Sequence, residues 1–429
     1  MHVRTGIARA IAAAAAVLAL TVAVAGCSAD PGSPAAVTLG PDRPLPGEVQ
    51  DQLRTAVTDA MAATGSSGAI VGVWAPWSGS WVTGLGTVAP GDDAKVTDDM
   101  TFRAGAITRP MVCDVLYRLD ATGVVHVDDS ITEYVGGMPK FSAVTLGDLC
   151  DGTSGIGSYR TLLGQQMLAN PDRQWDPREL VGYGVGQIEG EVRPGVAYGD
   201  SDAGYLLLGL ALERATGKTA AELLTTYVFD PLGLAHTTLP GDAPADPVVG
   251  SSQPLRGFYL GTRTATGAYA CDKPTDITEQ SASFSSTDAG VVSDIRDAAA
   301  YARALATGAL VPTKARFSNP LPVTASSPSW FTAAGGAVQM GPLIGQYGAT
   351  PGYLAAAFSD PASGLTVAVV LNDSTAGRGP IVDLARELAA IAAKAPAASG
   401  HEVPAVGLPW TAEQYHDSIA KAAVCAAAK

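Results

Sequence analysis

The stretch Phe102-Arg103-Ala104-Gly105-Ala106-Ile107-Thr108-Arg109-Pro110 constrains this chain most, because it divides a strand-rich segment from an apolar run at 111–119. A strand must give way to a helix here within one turn. Residues 106–122 read as that helix, and Gly123 ends it, as glycine often does just past a helix. Ala106 and Arg109 stand three apart, so they share one helix face.

Patterns to either side extend the reading. Residues 49–63 carry Leu53, Val57 and Met61 at helical spacing. Residues 69–74 and 80–86 form a hairpin around a Pro-Trp-Ser-Gly turn. Residues 204–209 read as a buried helix, and 289–297 open another that runs to Ala306. Residues 353–358 and 365–371 are two late strands of one sheet, which an amphipathic helix at 380–394 would cover.

A chain of 429 residues can bury a large core, and 47% apolar residues make it globular. Its net charge is -14, and removing residues 1–26 with Arg4 and Arg9 takes away two positive charges and leaves -16. With no basic cluster, no nucleic-acid partner is expected.

The first 26 residues read as a signal peptide. Arg4 and Arg9 precede an uncharged apolar run at 10–25, and Val24-Ala25-Gly26-Cys27 has the form of a lipoprotein processing box. Cleavage would leave Cys27 as the lipidated N-terminus, anchoring an exported protein to the outer face of a bacterial cell membrane. An uncleaved membrane anchor is the alternative. Residues 27–47, rich in Pro, Gly, Ser and Ala, read as a flexible tether. The main domain is expected at 48–395. Residues 396–429 then add a linker and a C-terminal helix. Cys113, Cys150, Cys271 and Cys425 in an oxidising compartment allow three pairings and show no zinc spacing. No metal and no cofactor is expected.

The stretch 102–109 resembles Phe-Arg-x-Gly-Ser-x-x-Lys of the penicillin-recognising serine hydrolases, the serine beta-lactamase and DD-peptidase family. Other landmarks follow in order: Val144-Thr145-Leu146-Gly147-Asp148-Leu149, Thr153-Ser154-Gly155, Pro194-Gly195, Asp230-Pro231-Leu232-Gly233-Leu234 and Ala289-Gly290-Val291-Val292-Ser293. The resemblance implies an α+β fold (multi-domain α and β): an antiparallel sheet flanked by helices, a mostly helical lobe, and a cleft between them. It also brings the Cys113 and Cys150 segments together, leaving Cys271 with Cys425.

Where the family places serine and lysine, this chain has Ala106 and Arg109. Alanine has no oxygen to acylate. Arginine stays protonated and cannot act as a base, although it can grip a carboxylate. The family's Tyr-x-Asn falls on Asp200-Ser201-Asp202, or, two residues earlier, on Tyr198 and Asp200. Its His-x-Gly falls on Gln346-Tyr347-Gly348, and the histidine of Thr-His-Thr-Ser-Gly on Gly152. Thr108 and Ser154 read as structural. His2, His126, His236, His401 and His416 all miss the catalytic landmarks.

Loss of a nucleophile alone costs a serine hydrolase about a millionfold. The expectation is therefore a pseudoenzyme whose cleft, with Arg109, Asp200, Asp202, Gln346 and Tyr347, binds a peptidoglycan fragment or an envelope protein. Two alternatives stand beside it: a hydrolase of this fold using other groups, such as Asp200 as a base for water, and a purely structural interaction module. Arg109 is expected within salt-bridge distance of Asp200 or Asp202.

Overall fold

The structure, a computed structural model, describes residues 37–188, 192–261 and 263–425. Residues 1–26, read above as a signal peptide, and Cys27 lie outside the described residues. No described helix is long and apolar enough to cross a membrane.

Helix α1, Gly47–Thr64, leads into the hairpin of β1, Gly68–Ala75, and β2, Gly79–Gly86. Helix α2, Thr108–Ala121, starts the second lobe after one 3-10 turn at Gly105–Ile107. Its lobe also holds α3, Arg160–Ala169, and α4, Asp202–Thr216. Helix α5, Ile295–Thr307, returns the chain to the sheet. Six strands follow: β3 Leu321–Pro322, β4 Phe331–Ala334, β5 Ala337–Met340, β6 Leu343–Thr350, β7 Tyr353–Ser359 and β8 Thr366–Leu371. Helices α6, Gly379–Ala392, and α7, Ala412–Lys421, close the fold.

Among the described residues, the eight strands form one antiparallel sheet ordered β2-β1-β8-β7-β6-β5-β4-β3. Both faces are covered, so the central strands are apolar throughout and their alternation sorts side chains between two cores. On β7, Leu354, Ala356 and Phe358 face the core under α1 and α6, while Tyr353, Ala355 and Ala357 face the core shared with the helical lobe. The small Ala355 and Ala357 leave room for α5 to lie close to the strand.

At both ends of the expected domain the flanking chain packs against it. The tether read over 27–47 is bound to the domain at its end. Arg43 Nε donates to Ser78 O at 2.7 Å, Leu45 N donates to Ser80 O, and Leu45 is 2% exposed. An apolar leucine among small residues was the available signal. The C-terminal extension is likewise packed against the body. Trp410, Tyr415 and Ile419 are buried in the core under α1 and α6, and Trp410 Nε1 donates to Arg386 O at 3.0 Å. Disulfides join Cys113 to Cys150 and Cys271 to Cys425, the second fastening the segment just after α7 to the loop that holds Cys271.

Candidate functional site

The strand Phe102–Arg103 pairs with Val292–Ser293, fixing where α2 begins. Gly105, at φ 60, makes the turn that a side chain would strain. The Ala106 methyl then abuts β6: a Cβ placed on Gly348 would lie 2.6 Å from it. Thr108 donates to Gly105 O at 2.8 Å and accepts from Val291 N, so its hydroxyl holds the helix start. The Ser154 hydroxyl is buried and accepts from Ile156 N.

Arg109, one turn into the lobe and 7% exposed, is the centre of an ion network. Its Nε donates to Asp288 Oδ1 at 2.8 Å and a terminal nitrogen reaches the same oxygen at 2.7 Å. Its other terminal nitrogen pairs with Asp200 Oδ1, and the guanidinium lies 4.8 Å from the Tyr205 ring centre. Asp200 Oδ2 pairs with Arg378. On the far side, Arg160 donates to Asp288 Oδ2 at 2.7 Å and stands 3.2 Å from Asp202 Oδ2. The charges alternate: Arg378, Asp200, Arg109, Asp288, Arg160, Asp202.

That alternation is what permits burial. A lone guanidinium or carboxylate here would lose several kcal/mol of hydration, and only an opposite neighbour offsets it. Burial alone would lower the Arg109 and Arg160 guanidinium pKa values. For Arg109 the Asp288 carboxylate, and for Arg160 the Tyr159 phenol and Asp288, more than reverse this. Arg109 therefore keeps its proton and cannot serve as a base. The Asp202 carboxyl is also pushed up, here by burial first and then by the nearby Asp288, against a pull down from Arg160.

The network surrounds a cavity of about 160 Å³ whose wall includes Ala106, Ser158, Asp202, Asp288, Gly348 and Ala349. Arg109, Asp200, Asp202 and Gly348 thus come together at it, as does Tyr347. Tyr347's ring, however, packs between Phe331 and Phe358, each with centres 6.3 Å away, and burial pushes its phenol up to about 12. Gln346 departs from the expectation. It is not in the cavity wall, because its amide donates to Gly336 O at 2.6 Å and accepts from Tyr347 N at 2.8 Å. At Gly152, φ 69, a Cβ would come within 2.8 Å of the Tyr198 ring, so that ring occupies the space beside the absent histidine.

The sequence reading missed Asp288, Arg160, Ser158 and Arg378. Asp288 adjoins the landmark at 289–293 and follows Ser286, whose φ of 32 turns the chain sharply. Among the described residues one group, His236, Asp294 and Asp297, lies close enough to share a metal ion. Asp294 already caps α5, and Asp297 accepts from His236 N and from the Thr237 hydroxyl.

Fold and cleft together define a beta-lactamase or penicillin-binding type of protein. A family model described as Beta-lactamase matches residues 53–391, and the chain belongs to that family. Penicillin-binding protein 4* of Bacillus subtilis is 25% identical over 146 residues, 32% of this chain and 30% of that protein. D-aminopeptidase of Cereibacter sphaeroides is 28% identical over 203 residues, 46% of this chain and 34% of that protein. The alignments thus span about a third of each of these relatives. Among solved structures, a D-stereospecific amidohydrolase from Streptomyces sp. superposes with a TM-score of 0.63 at 23% identity, covering 76% of this chain and 93% of that one. D-amino acid amidase from Ochrobactrum anthropi reaches 0.64 at 22% identity, covering 76% and 92%. Both likenesses speak to the fold.

Proposed function

We propose that this is an envelope protein, exported and lipid-anchored through Cys27, whose cleft binds a ligand without cleaving it. The ligand would be a peptidoglycan fragment or the surface of another envelope protein. The observation that carries the reading is the state of one helix turn. A methyl stands at 106 where the family's nucleophilic oxygen would be, and the cation at 109 is held between Asp200 and Asp288. Both oxygens of Asp200 are engaged by guanidinium groups, which leaves it poorly placed to activate water. Names among the relatives, including a D-alanyl-D-alanine-carboxypeptidase/endopeptidase of Escherichia coli and a teichoic acid D-alanine hydrolase of Staphylococcus aureus, support a cell-wall setting.

Thermal shift with a panel of muropeptides and β-lactams tests the reading. A saturable rise in melting temperature with one of them, without product formation, is expected. Turnover of any of them contradicts it. A second reading rests on Ser158, which borders the cavity beside Asp202: hydrolysis by groups outside the family pattern. Ester or peptide turnover abolished by both Ser158→Ala and Asp202→Asn would favour that second reading.

A further inference from the structure

We infer that the cleft takes a ligand carrying a primary ammonium group, which seats on Asp202. This rests on the reading of the cleft as a binding site and adds the ligand's chemistry.

The alternating row of six charges has two ends, and they differ. Asp200 and Asp288 are each shared by two guanidinium groups. At one end Arg378 has a single carboxylate partner, but its side chain is 45% exposed and solvent serves the rest of it. At the other end Asp202 is 1% exposed and has only Arg160, itself divided with Asp288. The Ser158 hydroxyl is within hydrogen-bonding reach of Asp202 and supplies one donor, while Arg160 Nε, 3.2 Å away, is not directed at it, so the carboxylate's remaining lone pairs have no well-formed partner among the described residues. A buried carboxylate without full hydrogen bonding is costly, and a donor arriving in the cavity removes that cost.

The sign of the donor follows from the neighbours. Asp200 and Asp288 each meet two guanidinium groups, whereas Asp202 shares its one guanidinium partner with Asp288, so its charge is the least compensated of the three and favours a cation. The cavity, about 160 Å³, suits a compact head group. An ammonium supplies three donors and a full charge, whereas a hydroxyl supplies one donor and none. A calcium ion would need six to eight oxygen ligands, and the other two carboxylates of the cavity wall, Asp200 and Asp288, are already bound by arginines.

The experiment is ligand-observed NMR on the folded chain with glycinamide and its neutral counterpart N-acetylglycinamide. Glycinamide is expected to bind at least tenfold more tightly, and Asp202→Asn to abolish that difference. Equal affinity of the two probes, or failure of both to saturate, overturns the inference. So does an Asp202→Asn protein that melts like the wild type and keeps the preference. If that variant does not fold, the wild-type pair of probes decides alone. Parallel titrations with a free-amine muropeptide and its fully N-acetylated form separate this inference from the broader reading. Equal binding of both leaves the cleft a cell-wall binding site and removes the ammonium seat. Binding of glycinamide with neither muropeptide keeps the seat and removes the cell-wall assignment.

Discussion

Arg109 closes on Asp288 through two nitrogens, Nε at 2.8 Å and a terminal nitrogen at 2.7 Å, both on Oδ1. The pair joins the first turn of α2 to the segment just before the strand Val292–Ser293, two places far apart in sequence that wall the same cavity.

Breaking this pair from one side should cost more than removing it whole. Asp288→Asn leaves Arg109 and Arg160 buried with a charge missing between them, a loss of about 3–5 kcal/mol. Arg109→Met with Asp288→Asn should recover part of that loss. Urea denaturation measures both, and a single variant within 1 kcal/mol of wild type would contradict the network's role.

Restoring the nucleophile should not restore chemistry. Ala106 borders the cavity, which has room for one more oxygen, so Ala106→Ser should fold with a small change in stability. Its hydroxyl would face a guanidinium that keeps its proton. Even Ala106→Ser with Arg109→Lys would hold the new amine protonated between Asp200 and Asp288. Incubation with a fluorescent penicillin should leave both variants unlabelled on a gel.

Asp373 should give the protein a pH-dependent loss of stability. It is fully buried after β8, Oδ1 accepts from Thr375 N at 2.9 Å, and Oδ2 has no partner. Burial pushes its carboxyl up to about 7. The folded state therefore holds this proton more firmly than the unfolded chain. The contribution is full below pH 4 and fades as pH rises through about 7. Asp373→Asn should be more stable than wild type at pH 8 by about 1–4 kcal/mol, with the difference vanishing near pH 4. Thermal melts across that range give the comparison.

Residues 396–429 should behave as part of the body. Trp410 packs against Trp330 and Tyr415 with ring centres 5.2 and 6.0 Å away, and the Arg386 guanidinium lies against Trp330, Phe331 and Tyr415. Trp410→Ala should cost about 3–5 kcal/mol, as for other large core aromatics. Deleting 396–429 should expose the aromatic cluster and cause aggregation in light scattering. A truncated chain as soluble and stable as the whole would show a detachable module instead.

Legibility followed locality. Helices and the hairpin could be read because periodic, turn and glycine-stop patterns lie within a few residues. The ordered landmarks placed Ala106, Arg109, Asp200 and Asp202 near one another. Asp288, Arg160 and Arg378 carry no local pattern. What selects them is charge balance in a buried space, which no short window of sequence displays. Gln346 misled for a related reason: its position in the landmark was right, but a neutral amide satisfies itself on the Gly336 carbonyl in the turn between β4 and β5. The packed end of the tether rests on one leucine, Leu45, within a stretch whose composition otherwise favours mobility.

The central claim is that this cleft holds a ligand and forms no covalent bond with it. Intact-protein mass spectrometry after incubation with a penicillin and with a serine-directed fluorophosphonate tests it most directly. The account predicts an unchanged mass with both reagents. A stoichiometric adduct, lost on Ser158→Ala or on substitution of another hydroxyl at the cavity, would contradict it.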